Sequence, residues 1–158
     1  LHTPFALFQP EGESVCYNRN PVLQRANFME DVSGRRVLLV IENDDPIREV
    51  LTGCFEDMAG WHVIAVSSGQ AGLTLALSEN PSAIILDVMM PEMDGITFLR
   101  RLQELTVQAF PVILITAHAN ELQLSELTNL GVRGIIAKPF DPVLLTQQTA
   151  QLLGWDDP

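Results

Sequence analysis

Basic side chains are scarce in this sequence: 9 lysines and arginines stand against 20 aspartates and glutamates, for a formal net charge of −11. Affinity for nucleic acid rests on clustered Lys and Arg meeting phosphates, so the balance argues against DNA or RNA and for a protein or small-molecule partner. Aromatic residues are few, at 6%, although 47% of the chain is apolar. That combination suits an aliphatic Val/Ile/Leu core of the kind that fills parallel sheets. No apolar run approaches the roughly 20 residues of a membrane span. The first eight residues are too short and lack the basic flank of a signal peptide. Two cysteines, Cys16 and Cys54, make no disulfide framework and read as free thiols of a reducing compartment. The expectation is a soluble, cytoplasmic protein with no membrane partner.

Residues 1–34 mix Pro4, Pro10, Pro21 and Gly12 with scattered polar residues and carry no sustained periodicity. They read as a weakly ordered extension, with Met29 placed to serve as a natural start and residues 1–28 preceding it. From 35 to 155 the pattern is that of one domain. Val37 to Ile41 is a continuous apolar run too short for a helix, hence a buried strand. Asp44 caps a helix with Pro46 in its first turn and Ile47, Val50, Leu51, Cys54, Phe55 and Met58 on one face. A second strand spans 62–66 and a helix 69–78, broken by Asn80-Pro81. A third strand, 83–86, ends at Asp87, and a helix follows over 94–105. A fourth strand, 111–115, ends at Thr116, with a helix over 121–130 stopped by Gly131. A short fifth strand, 134–137, ends at Lys138-Pro139, and a last helix covers 142–153. Strands alternating with helices at this spacing require right-handed crossovers and an α/β fold with a parallel sheet covered on both faces.

Ligands of such sheets bind outside the carboxyl ends of the strands. Standing there are Glu42, Asn43 and Asp44 after strand one, Asp87 after strand three, Thr116 after strand four and Lys138 after strand five. Lys138 is the only lysine in the chain. Any one of these residues alone is ordinarily a turn or cap residue; such residues at four strand ends on one edge of one sheet are hard to explain as independent turns. Their chemistry is consistent: a carboxylate can attack a phosphoryl group to give an aspartyl phosphate. The surroundings need only position and neutralise the oxygens. A hard divalent cation, Mg2+, would bridge the acidic corner and the phosphate. Lys138 would meet a second oxygen as a point charge and the Thr116 hydroxyl a third. The reading requires the Asp87 carboxylate to be accessible and within a few ångströms of the ammonium.

Val-Ile-Glu-Asn-Asp (40–44), Ile-Leu-Asp-Val-Met-Met-Pro-Glu-Met-Asp-Gly (85–95), Ile-Thr-Ala (115–117) and Ala-Lys-Pro-Phe (137–140) together resemble the receiver domain of bacterial two-component response regulators. The resemblance covers 36–153. It implies a three-layer, flavodoxin-like (βα)5 fold, doubly wound, with strand order 2-1-3-4-5. It also implies that Asp87 takes a phosphoryl group from a histidine kinase or phosphotransfer protein. Glu42, Asn43, Asp87 and the carbonyl of Met89 would hold Mg2+, Thr116 would be the switch hydroxyl, and Lys138 would contact the phosphate through a loop with a cis Lys-Pro bond. Such a protein is a phosphoryl acceptor with slow autodephosphorylation and not a turnover enzyme.

Two departures stand out. Asn43 occupies a position where the family has a metal-contacting Asp, so one negative charge is lost and weaker Mg2+ binding is expected. Ile135 replaces a ring-bearing Tyr or Phe that would swing inward as Thr116 moves. Met89 and His118, each two residues beyond a site residue, stand where the family tunes hydrolysis. Met89 should hinder water, whereas His118 either bonds it or faces solvent. No output module follows the fifth helix before Pro158, which suggests a stand-alone receiver. It would signal by protein–protein contact or self-dimerisation through the face of helix four, strand five and helix five. On that face Leu122, Leu124 and Leu127 are expected to be core. The alternative is a receiver-like interaction module not regulated by phosphorylation, which Asn43 and Ile135 favour. An Asp-nucleophile phosphatase would need a second Asp where Met89 stands, and a dinucleotide fold would need G-x-G-x-x-G.

Overall fold

A computed structural model describes residues 34–155 together with two short strands, Ala6–Phe8 and Ser14–Cys16. Those two strands pair antiparallel, Leu7 opposite Val15. Three-residue strands are too short to leave a periodicity, which is why the sequence gives no sign of them. The expectation for the rest of 1–33, including Met29, lies outside the described residues.

The sheet is built from β1 (Val37–Ile41), β2 (His62–Val66), β3 (Ala83–Asp87), β4 (Val112–Thr116) and β5 (Val132–Ala137). All pairings are parallel and the order is 2-1-3-4-5. The three inner strands are buried at every position, as their unbroken apolar runs require. Of the edge strands, β5 alternates buried with exposed or half-buried positions, and in β2 only Val63 is buried. β5 begins at Val132, two residues earlier than expected, because Val132 pairs with Val112 ahead of a register shift that then sets Gly134 beside Ile113.

Among the described residues the helices are α1 (Asp45–Gly53), α2 (Gly69–Glu79), α3 (Gly95–Leu105), α4 (Leu124–Leu127) and α5 (Pro142–Leu153). Four are started by a side-chain cap, Asp44, Ser68, Asp94 and Asp141, each accepting a backbone N–H of the first turn. One core layer joins Leu39, Ile41, Ile84, Leu86 and Leu114 to α2, α3 and α4. The other joins Leu38, Val40, Ile85, Ile113 and Ile115 to α1 and α5. Alternate residues of each inner strand therefore serve opposite layers.

Two helical expectations need correcting. α1 continues as a π-helical turn, Cys54–Met58, which widens the last turn. Leu51, Cys54 and Phe55 are buried, but Val50 and Met58 are exposed, so the apolar face is narrower than expected. The segment expected as one helix over 121–130 is instead a 3-10 turn at Ala119–Glu121, the single turn of α4, and a 3-10 turn at Thr128–Leu130. None of the three has a side-chain cap. Leu127 is buried and Leu122 half-buried, whereas Leu124 is 39% exposed. No helix among the described residues is long and apolar enough to cross a membrane.

Candidate functional site

Parallel pairing brings the ends of β1, β3, β4 and β5 to one edge, and the side chains there converge on a single ammonium. Lys138 Nζ lies 2.5 Å from Glu42 Oε1 and 3.3 Å from Asp87 Oδ1. The backbone between strands is tied as well: the Lys138 N–H donates to the Thr116 carbonyl at 2.8 Å and the Val88 N–H to that of Ile115 at 3.3 Å. The Lys138–Pro139 bond is cis.

Each carboxylate is engaged on both oxygens. Asp87 Oδ1 also accepts the Met89 N–H at 3.3 Å, which curls the loop after β3 around the carboxylate. Glu42 Oε2 accepts the Asp44 N–H at 3.3 Å. The Asn43 amide faces both acids; its nitrogen-inward orientation is the one their acceptor oxygens require, and so placed it would donate to Asp87 Oδ2 at 3.1 Å and to Glu42 Oε2 at 3.3 Å. Asp87 is 4% exposed and Glu42 1% exposed. Asp87 thus lies beside the ammonium as expected, yet it is buried where an accessible group was expected; the Met89 N–H bonds to it and the Asn43 amide lies against it. Burial pushes the Glu42 carboxyl above its ordinary range; the Lys138 hydrogen bond opposes that, while nearby Asp87 adds to it.

Thr116 is fully buried and its hydroxyl accepts the His118 N–H at 3.1 Å, within its own loop. The His118 ring is exposed and pairs with Glu121 at 3.2 Å, which favours the solvent-facing reading of that residue. Met89 is 59% exposed at the rim, and Ile135 is half-buried against the layer containing α4.

Two contributors carry no motif of their own chemistry. Arg48 Nη1 donates to the Glu42 carbonyl at 2.9 Å and its other nitrogen pairs with Asp45 at 2.5 Å, fixing the turn after β1. Gly95 packs so closely that a Cβ there would sit 2.8 Å from the Asp87 carbonyl oxygen and 2.9 Å from Val88 Cα. The Asp-Gly pair at 94–95 was the available signal for it. As a cation site, the corner offers hard oxygens: two carboxylates and the Asn43 amide oxygen if turned inward. That donor chemistry fits Mg2+, but with fewer charges than a three-carboxylate site. Among the described residues no three His, Cys, Asp or Glu side chains cluster for a metal.

Residues 38–150 match the family model of the response regulator receiver domain. This chain belongs to that family. The receiver is 33% identical over 105 residues to the alkaline phosphatase synthesis transcriptional regulatory protein PhoP of Bacillus subtilis, a match covering 66% of this chain and 43% of that one. It is equally similar to the transcriptional regulatory protein SrrA of Staphylococcus aureus, with 66% and 42% covered. The chain therefore spans less than half the length of these relatives. Among solved structures, the receiver domain of the Francisella response regulator 1452 superposes with a TM-score of 0.66 at 27% identity, over 76% of this chain and 98% of that one. The chemotaxis protein CheY4 of Vibrio cholerae shares the fold, with a TM-score of 0.67 at 24% identity over 75% and 98%. The molecule is thus a receiver domain of the two-component type, a signalling fold.

Proposed function

We propose that this receiver accepts a phosphoryl group on Asp87 from a phosphohistidine of a kinase or phosphotransfer partner. The observation that carries this reading is the Lys138 ammonium held between Asp87 and Glu42 at the carboxyl edge of the sheet. Once the Asn43 amide turns away and uncovers it, an Asp87 oxygen attacks phosphorus; the O–P bond forms as the N–P bond breaks, and the imidazole leaves with the electron pair and takes a proton from solvent. Lys138 then neutralises one phosphoryl oxygen, and Thr116 offers its O–H, which the bond accepted from the His118 N–H leaves free to donate. Glu42, Asn43, Asp87 and the Met89 carbonyl would hold Mg2+, which when bound supplies further charge neutralisation. The added charge of roughly −1.5 to −2 would reorder the Thr116 loop and bias the surface of α4, β5 and α5 toward a protein partner or a second copy. Leu124 on α4 and Val143 and Leu144 at the start of α5 are exposed. The net charge of −11 favours a protein over nucleic acid as the partner, in the cytoplasm where such kinases act.

The burial of Asp87 and its contact with Asn43 favour a second reading, a receiver-fold interaction module that phosphorylation does not regulate. Phosphoryl transfer from candidate kinases, with acetyl phosphate and beryllofluoride alongside, separates the two. The first reading expects wild type to be labelled and Asp87→Asn not to be. A wild type that remains unlabelled and unresponsive to both reagents supports the second.

A further inference from the structure

An asparagine side chain can present either of two ends to its neighbours, and at Asn43 the neighbours decide which. The inward end faces Asp87 Oδ2 and Glu42 Oε2, both acceptors. An oxygen there would meet only carboxylate oxygens, whereas an NH2 group placed there would donate to both, at 3.1 and 3.3 Å, so the neighbours assign the nitrogen inward. On the opposite oxygens of the same two acids sits Lys138, 2.5 Å from Glu42 and 3.3 Å from Asp87. The two acids are therefore clamped from both sides by donors, an ammonium on one pair of oxygens and an amide on the other.

We propose that Asn43 is a two-position positioning residue. With Nδ2 inward it holds the cation-free site closed and covers Asp87 Oδ2, the oxygen not paired with Lys138. With Oδ1 inward it becomes a ligand for a divalent cation and uncovers that oxygen. The physical ground is that an NH2 group repels a cation and an amide oxygen repels a carboxylate. Divalent-cation binding therefore requires a half-turn of the amide and the loss of two charge-assisted hydrogen bonds. An aspartate at this position has no donor end. It would leave three carboxylates facing one ammonium until a cation arrives. The significance of uncovering Oδ2 rests on Asp87 being the acceptor, but the orientation of the amide does not.

The test is a Mg2+ titration of chelator-stripped, 15N-labelled protein, with the Asn43 side-chain NH2 signals assigned by their disappearance in Asn43→Asp. In metal-free protein the pair should be displaced from free-amide positions and slow to exchange with water. Saturating Mg2+ should return it to free-amide positions and speed its exchange. Asn43→Asp should bind Mg2+ about tenfold or more tightly than wild type, since a full charge replaces an amide. Asn43→Ala should stay within about threefold of wild type, because lost ligation and lost hydrogen bonds offset each other. The proposal is overturned if the metal-free pair already exchanges freely, if it does not move on saturation, if wild type takes no Mg2+, or if Asn43→Asp binds no more tightly. Should Asn43→Asp fail to fold without metal, the wild-type spectra and Asn43→Ala decide. No arm uses a phosphoryl donor, so a failure here is distinct from a failure of labelling at Asp87.

Discussion

Lys138 is a single side chain on which two buried acids depend. Removing one partner of a buried ionic cluster leaves uncompensated charge, at a cost of about 3–5 kcal/mol. Lys138→Ala should lower the unfolding free energy near neutral pH by about that amount, read from urea denaturation, and abolish labelling of Asp87. Lys138→Arg should not restore labelling, because a planar fork cannot take the place of an ammonium lodged between two carboxylates. Cys54 makes a second residue-level prediction. Its thiol is raised above its usual value of 9.0, first by burial and then by nearby Asp57. The folded chain therefore keeps the proton at pH values where the unfolded chain has lost it, so the stability this thiol contributes is lost as pH rises above about 9. Denaturant melts between pH 8 and 10.5 of Cys16→Ser, with and without Cys54→Ala, should show that decline only when Cys54 is present. At this scale Glu42, Asp87, Thr116 and Lys138 were legible because each terminates an apolar run and strand direction then places it. The burial of Asp87 was not legible, since it comes from a donor on Asn43 and a curl of the loop at Met89. Nor was the orientation of the Asn43 amide, because a sequence does not distinguish its two ends.

The strands were the most readable elements, and the reason lies in β1, β3 and β4, where burial on both faces forces five consecutive apolar or site residues. The capped helices were nearly as readable: Asp44, Ser68, Asp94 and Asp141 mark their starts in the sequence. The segment 119–130 was not, since Leu122, Leu124 and Leu127 suggest a helix while uncapped turns break it up. The π-helical turn at Cys54–Met58 has no sequence signature at all. The turn from β3 to α3 carries the element-level prediction. Gly95 donates its N–H to the Val88 carbonyl at 2.9 Å, and any side chain would collide with backbone that no rotamer change can relieve. Gly95→Ala should cost about 1–3 kcal/mol in urea melts. It should also slow labelling of Asp87 by pushing apart the loop that carries it, although Gly95 itself touches no phosphoryl group.

Across the whole molecule the two tryptophans sit at the end of the sheet opposite the acids. Trp61 precedes β2, stacks on Phe55 at 5.7 Å and meets Trp155 edge-on at 5.1 Å, while Arg36 lies 4.3 Å above the Trp155 ring. A five-residue strand at about 3.3 Å per residue is roughly 16 Å long, and β1 lies between β2 and β3, so these rings stand about 20 Å from Asp87. Intrinsic fluorescence should therefore follow global unfolding closely, yet change little when beryllofluoride occupies the site; a large change on binding would show that the two core layers move together. Charge is distributed unevenly too, for apart from Lys138 every cationic side chain that is permanently charged is a guanidinium. An acylating reagent selective for primary amines thus finds one side-chain target in the entire chain, and that target is shielded by the acids it neutralises. The pace at which the folded protein acquires that label becomes a clock for how often the corner opens, without any reporter group having to be introduced.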